Sequence, residues 1–147
     1  REGCEVRGLA PGRYELSIDG TVGGTWTSEQ LSRHVELQAN DKTPQYQQAL
    51  EVAYLNRSRN SGPVRNLRNE WRVFQRYARD NRDAKTDAER ENVAQWKKRL
   101  EGLPERVAGH AAEAKKIEDR IFAVNQPVSR MYVLTQVVAP AKKPATN

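Results

Sequence analysis

The stretch GLAPGRYELSIDGTVGGTW, residues 8–26, decides the fold, because its local chemistry predicts β structure without help from the rest of the chain. The segment Ala10-Pro11-Gly12 predicts a turn, since proline presets φ at one central position and glycine accepts positive φ at the next. After it, Tyr14, Leu16 and Ile18 alternate with polar residues. This alternation is typical of a strand with one buried face.

The neighbouring segments extend this β unit on both sides. Residues 4–9 alternate apolar and charged side chains, so they predict a strand that forms a hairpin with residues 14–18. Asp19-Gly20 and Gly23-Gly24 predict two further turns. The remaining signals are one helical turn over Ser28–Ser32, capped by Thr27 or Ser28, and a last short strand at Val35 and Leu37. Residues 1–42 therefore predict a small antiparallel β unit.

Helical patterns fill the chain from residue 43 to residue 127. Their start signals are Pro44 after the N-cap Thr43, Pro63, the Thr86–Glu89 capping box, and Pro104 in a first turn. The apolar 3-4 spacing continues from Val93 to Val124 across Gly102, so two helices and one kinked helix both fit, and we prefer two. Residues 43–127 thus predict three to four amphipathic helices in a bundle or helical hairpin.

The last part of the chain returns to extended structure. Residues 128–138 are rich in β-forming side chains and predict a C-terminal strand that packs on the β unit. Residues 139–147 combine prolines and lysines, which predicts a disordered tail. The fold class is therefore α+β. Because only 37% of the residues are hydrophobic and 30% are charged, burial must come from narrow apolar stripes.

The second predicted helix carries two parallel stripes. Its apolar seam consists of Val64, Leu67, Trp71, Phe74 and Ala78. One residue further on, and so about 100° around the helix, lies the arginine stripe: Arg65, Arg68, Arg72, Arg76 and Arg79. Each guanidinium offers a planar fork of donors, so the stripe is a candidate site for phosphates or for the carboxylates of an acidic polysaccharide.

A structural role for the arginine stripe is the alternative. The arginines would then bury their stems and pair with carboxylates of neighbouring helices, with these candidates: Glu89, Glu91, Glu101, Glu113 and Glu118. The sequence argues against nucleic acid as the partner, because Trp71 and Phe74 lie on the seam and are not interleaved with the arginines on an exposed surface.

The basic charge is local. The chain carries +6 overall, yet residues 43–82 alone carry +5, from eight arginines and three carboxylates. Residues 1–42 carry −2 and residues 83–127 are neutral. A polyanionic partner would therefore meet the chain at its second helix.

No catalytic, metal or cofactor site can be assembled from the sequence. Nucleophilic catalysis needs a serine or cysteine beside an oriented histidine, and the two histidines, His34 and His110, lie in a short connector and on a helix seam. Cys4 is the single cysteine, which excludes an intrachain disulfide and a cysteine-based metal site. Paired carboxylates on the helices have lysine or arginine neighbours, as in solvated ion pairs.

Membrane-spanning segments and secretion signals would show in the hydropathy of the chain and in its first residues. No apolar run approaches the roughly 20 residues that a transmembrane helix needs, and no signal-peptide pattern is present. Because the chain begins at Arg1, we expect a fragment or a processed protein.

Four segments in order resemble the region that follows the catalytic domain in bacterial SGNH (GDSL-type) hydrolases. They are GLAPGRYELSIDG from residue 8, GGTWTSEQL from residue 23, VEL from residue 35 and TPQYQQA from residue 43. In that family a similar hairpin, short helix, extended piece and Thr-Pro-led helix occur in the same order. The resemblance covers residues 4 to about 60, and the rest of the chain follows it in outline.

This resemblance implies a non-catalytic accessory region of a secreted or cell-envelope esterase. Such a region would pack on an SGNH-type catalytic domain upstream in the same protein, or help to present a polysaccharide or ester substrate. The family's catalytic serine lies in a Gly-Asp-Ser block and its histidine in an Asp-x-x-His pair, and no position of this chain matches either. Two alternatives follow from the residues: a coiled-coil-like assembly module, and a polyanion-binding domain that uses the arginine stripe.

Overall fold

The computed structural model describes residues 3–137 and has an α+β fold, as predicted. In chain order the elements are β1 (Gly3–Cys4), β2 (Arg13–Ile18), β3 (Thr21–Thr27), α1 (Ser28–Arg33), β4 (Val35–Glu36), α2 (Pro44–Ser61), α3 (Pro63–Asp83), α4 (Asp87–Arg99), α5 (Leu103–Val124) and β5 (Tyr132–Val137). The predicted tail, residues 139–147, lies outside the described residues. None of the described helices has the length and apolarity needed to cross a membrane.

Chain contacts divide the protein into two units. Among the described residues, 3–50 and 127–137 form the first unit, and residues 51–126 form the second. The division falls inside α2 (Pro44–Ser61), so this helix contributes residues to both.

A three-stranded antiparallel sheet in the order β3-β2-β5 organises the first unit. Its central strand buries Tyr14, Leu16 and Ile18, which are the alternating apolar residues of the opening stretch. They pack with Leu31, Val35 and Leu37 in one hydrophobic cluster. The prediction that a C-terminal strand adds to the N-terminal β unit is confirmed, since β5 pairs with β2 along its whole length.

The Asp19-Gly20 turn is also as predicted. Both residues have positive φ, 50° and 80°, which is the geometry of the turn that matches the twist of a hairpin. The Asp19 carboxylate accepts hydrogen bonds from Met131 N at 2.8 Å and from Arg130 Nη1 at 2.9 Å. The bond from Met131 is the main reason, followed by Arg130, that the pKa of Asp19 is lowered. This residue therefore joins the hairpin turn to the start of β5.

Two predictions about the hairpin were wrong. Residues 4–9 do not pair with β2: β1 covers only Gly3–Cys4 and pairs with β4, while β2 forms its hairpin with β3. Gly23-Gly24 is not a turn either, because β3 continues through it. Leu16 pairs with Gly24 and Ser17 with Val22, so Gly23 is the extra residue of a β-bulge. Glycine signals turns and bulges alike, so the sequence pattern does not distinguish them.

The helical starts follow the sequence signals. The Thr43 hydroxyl accepts a hydrogen bond from Tyr46 N at 3.3 Å, and Thr86 and Glu89 form the predicted capping box. Gly102 adopts a left-handed conformation with φ 67° between α4 and α5. This glycine separates two helices, as we preferred, and excludes one kinked helix.

The predicted apolar seam of α3 is buried only in part, since Val64 and Leu67 are half-buried and the other three members are exposed. Trp71 is 59% exposed and Phe74 is 40% exposed, and Ala78 is exposed as well. Glu70 and Tyr77 are half-buried as well, and Glu70 contacts Arg106 of α5. Among residues 51–126, all of which are described, only Pro63 and Ala114 are fully buried. The second unit consequently leaves large apolar side chains on its surface.

Candidate functional site

The arginine stripe lies on the surface of α3. All five of its side chains, from Arg65 to Arg79, are exposed. Asp80 engages two of them, Arg79 at 3.1 Å and Arg76 at 3.9 Å. The other three, Arg65, Arg68 and Arg72, form no salt bridge with any residue between 3 and 137. These three guanidinium groups are therefore available to an external anion.

The predicted carboxylate partners of the stripe are engaged elsewhere or face water. Glu89 completes the cap of α4, and Glu118 lies 3.6 Å from Arg59 of α2. No described residue among Glu89, Glu91, Glu101, Glu113 and Glu118 forms a salt bridge with the stripe. The structural alternative was wrong in this pairing, because the carboxylate that the stripe engages is Asp80 of the same helix, while Glu89 caps its own helix and Glu118 pairs with Arg59.

Arg76 has a packing role in addition to its ion pair. Its guanidinium lies 4.9 Å from the ring centroid of Trp96 in α4, and Arg99 lies 4.6 Å from the same ring. Cation–π contacts of this kind contribute about 0.5–1 kcal/mol at exposed sites. Arg76 thus helps to hold α4 against α3, and only part of the stripe is free for binding.

An apolar patch lies along the exposed edge of α3 beside α5. It consists of Leu67, Trp71, Phe74, Leu103, Pro104 and Val107, and we call it the aromatic patch. These residues line an open groove of about 410 Å³ together with Glu70. The rings of Trp71 and Phe74 stack, with centroids 5.4 Å apart and planes inclined by 26°. The two aromatic side chains therefore form one preformed surface.

A bidentate ion pair fixes the two helices that carry the aromatic patch. Arg106 of α5 donates to Glu70 of α3 through Nε at 2.9 Å and through Nη2 at 3.1 Å. The same guanidinium donates to the carbonyl oxygens of Glu101 at 2.6 Å and Arg99 at 2.9 Å. Arg106 consequently joins α3, the end of α4 and the start of α5 next to the groove.

The ion pair predicts a dependence of stability on pH. The hydrogen bond from Arg106 is the main reason that the pKa of Glu70 lies below its ordinary value of 4.5. A lowered folded-state pKa stabilises the fold above the unfolded-state pKa, and this contribution is lost as the pH falls through the lower folded-state value.

We therefore expect Glu70→Gln to lower the melting temperature at pH 7, and the difference from wild type to shrink as the pH falls below about 4.5. Thermal unfolding at a series of pH values measures this. Glu113→Gln is the matched control, because Glu113 is exposed and forms no salt bridge within the described chain. A difference that stays constant with pH would contradict the role of Glu70.

The other titratable groups stand apart from this surface. His34 Nε2 lies 3.0 Å from Glu36 Oε1, and His110 is half-buried on α5. In the described part of the chain, no serine or cysteine forms a hydrogen bond with either histidine. Partial burial raises the pKa of the Cys4 thiol. Residues 3–137 contain no cluster of three or more His, Cys, Asp or Glu side chains suited to a metal ion.

Sequence reasoning missed the residues that build the groove. Glu70 and Arg106 are 36 residues apart, so no local spacing connects them. The exposure of Trp71 was also missed, because its 3-4 spacing with Leu67 and Phe74 is the same for a buried seam and for an open patch. The one sequence signal for the groove was the pair Gly102 and Pro104, which predicts that a new helix begins there. That helix, α5, forms one wall of the groove.

Comparison with known proteins gave one informative match. No protein-family model matches the chain, and a search of curated proteins also gave no match. The solved structure of a gut microbial diltiazem-metabolizing enzyme is similar, with 29% sequence identity and a TM-score of 0.65. The match covers 92% of this chain and 34% of that enzyme. This chain thus spans about a third of the enzyme's length.

Proposed function

We propose that this chain is a non-catalytic accessory region of a larger ester hydrolase of the SGNH (GDSL) type. In this proposal it packs on the catalytic domain or helps to present the substrate. The observation that carries the proposal is the match to about a third of a diltiazem-metabolizing enzyme, over 92% of this chain. About two thirds of that enzyme's length lies outside the match, which leaves room for a separate catalytic domain.

Two further observations support the proposal. Diltiazem contains an acetate ester, so ester hydrolysis is one way in which an enzyme can metabolise it. The SGNH family, which residues 4 to about 60 of this chain resemble, consists of ester hydrolases. In addition, His34 contacts a carboxylate but no serine or cysteine in the described structure. Acyl transfer by a triad needs all three groups in contact.

The test compares the full-length polypeptide that contains this chain with residues 1–147 alone. Both are assayed for hydrolysis of p-nitrophenyl acetate and diltiazem, and circular dichroism verifies that the shorter protein is helical. We expect turnover by the full-length polypeptide and none by the shorter one. Turnover by residues 1–147 that is lost in His34→Asn or His110→Asn would contradict the accessory role. A full-length polypeptide without activity on either ester would contradict the hydrolase class.

A second candidate function is polyanion binding by the free part of the arginine stripe. The observation in its favour is that Arg65, Arg68 and Arg72 are exposed and form no salt bridge within residues 3–137. Three guanidinium groups on adjacent turns of one helix can contact successive anionic groups of a polymer.

We expect the triple variant Arg65→Gln, Arg68→Gln, Arg72→Gln to leave a heparin column at lower salt than wild type. Binding to duplex DNA gives a second readout. There the logarithm of the binding constant falls linearly with the logarithm of the salt concentration, and the slope becomes shallower by roughly 0.9 for each phosphate that the protein no longer neutralises. The control removes the same charge elsewhere on the second unit, in Arg57→Gln, Lys97→Gln, Lys116→Gln, where all three side chains are exposed. Equal shifts in both variants would mean that net charge, and not the stripe, binds the polymer.

A further inference from the structure

We infer that the aromatic patch, with Arg68 and Arg72 beside it, is the docking surface for the remainder of the enzyme. The surface that docks there has an apolar centre and carboxylates at its rim. This inference rests on the proposed function and names the partner of the second unit. Four features of the described residues lead to it.

The first feature is an incomplete core. Of residues 51–126, only Pro63 and Ala114 are fully buried, while Trp71 is 59% exposed. Large apolar side chains contribute to stability only when they leave water, at about 25 cal/mol for each Å² buried. Exposed apolar patches rimmed by polar residues are typical of interaction surfaces.

The second feature is rigidity. Trp71 and Phe74 are stacked before any partner binds, with centroids 5.4 Å apart. The opposite wall of the groove, at Leu103 and Pro104, begins the helix that Arg106 ties to Glu70. A preorganised surface loses less side-chain entropy when a partner binds.

The third feature is composition. Tryptophan and arginine are enriched among the residues that dominate protein interfaces. Arg68 precedes Trp71 by three residues and so lies on the same side of the helix one turn earlier, while Arg72 follows Trp71 directly and lies about 100° further around the helix. This arrangement favours a partner whose apolar centre covers Trp71 and whose carboxylates meet the two arginines.

The fourth feature is charge, which argues against a second copy as the occupant. Residues 51–126 hold 17 lysines and arginines against 12 aspartates and glutamates. A twofold dimer through the aromatic patch would bring Arg68 and Arg72 of both copies together, because the same patch meets itself. Like charges across an interface oppose association, and an acidic rim on a different surface favours it.

Hydroxyl-radical footprinting of the full-length polypeptide tests the inference. Mass spectrometry compares the modification rate of each side chain in the native and the unfolded protein. In the described structure Trp71 and Phe122 are equally exposed, at 59% each, so Phe122 is an internal reference. We expect Trp71 and Phe74 to be modified several-fold more slowly than their exposure in this chain implies. Native rates at Trp71 and Phe74 that match 59% and 40% exposure would overturn the inference.

Charge-reversal variants test the carboxylate rim. We expect Arg68→Glu, Arg72→Glu to restore rapid modification of Trp71, and the control Arg57→Glu, Lys97→Glu to leave it slow. If Trp71 stays protected in the Arg68→Glu, Arg72→Glu variant, the inference that the partner surface has an acidic rim is wrong. Protection that disappears on dilution, together with a fall in mass measured by light scattering, would assign the aromatic patch to a second copy and overturn the choice of partner.

The outcomes separate this inference from the function on which it rests. If the full-length polypeptide hydrolyses esters while Trp71 reacts freely, the docking surface is wrong and the proposed function stands. If Trp71 is protected and Arg68→Glu, Arg72→Glu releases it, but no ester is hydrolysed, the docking surface stands and the proposed function is wrong.

Discussion

Leu16→Ala is expected to lower the free energy of unfolding by about 2–5 kcal/mol. Leu16 is 1% exposed at the centre of β2, the strand that pairs on both sides, with β3 and β5. Alanine would leave a cavity in the cluster that includes Ile18 and Leu31. Of the substitutions proposed for this chain, this one is expected to have the largest effect on stability. Denaturant unfolding followed by the fluorescence of Trp26, which packs against the same cluster, measures it.

Val133→Ala is the control for this prediction. Val133 lies on β5 opposite Ser17 and is 43% exposed, so it faces away from the cluster that Leu16 fills. Truncation of a surface side chain that lies outside the core and takes part in no cap or buried hydrogen bond changes stability by at most about 0.5 kcal/mol. Equal losses in the two variants would contradict a core that is confined to one face of the sheet.

Thr43→Val is expected to lower the free energy of unfolding by about 1–2 kcal/mol. Thr43 is 1% exposed, and its hydroxyl donates to the Asn40 carbonyl at 2.9 Å while it accepts from Tyr46 N at 3.3 Å. Valine keeps the shape and removes both hydrogen bonds, so the first turn of α2 loses its cap. Chemical denaturation of both proteins at equal concentration measures the difference.

Thr86→Val supplies the matched control, because Thr86 is also the N-cap of a helix, α4. Thr86 is exposed, so water can replace the hydrogen bond that its hydroxyl accepts from Glu89 N. We expect a loss below about 1 kcal/mol there. If the two substitutions cost the same, burial of Thr43 adds nothing to its capping role.

Local chemistry explains why many elements could be predicted. The cap at Thr43, the capping box at Thr86 and the turn at Asp19-Gly20 each satisfy backbone groups within a few residues, so the sequence contains both partners. The buried face of β2 was equally readable, because strict alternation allows one face only.

The remaining features depend on contacts that no local pattern encodes. The pairing of β1 with β4 joins residues about 30 positions apart, and the bulge at Gly23 is set by the register between β2 and β3. The orientation of α3 follows from the ion pair between Glu70 and Arg106 and from the packing of Trp96 under Arg76. These contacts between helices decide whether Trp71 is a core residue or a surface residue. The sequence therefore predicted the exposed arginines of the candidate site, but it did not predict that the aromatic side chains beside them are exposed.

The central claim is that this chain supports an ester hydrolase without taking part in the chemistry. The most direct measurement is the rate of acetyl ester hydrolysis by the full-length polypeptide before and after His34→Asn and His110→Asn are introduced together. These are the two histidines of the chain, and a Ser–His mechanism located here would need one of them. We predict an unchanged kcat. Loss of activity by several orders of magnitude, in a protein that remains folded, would place catalysis within this chain and contradict the claim.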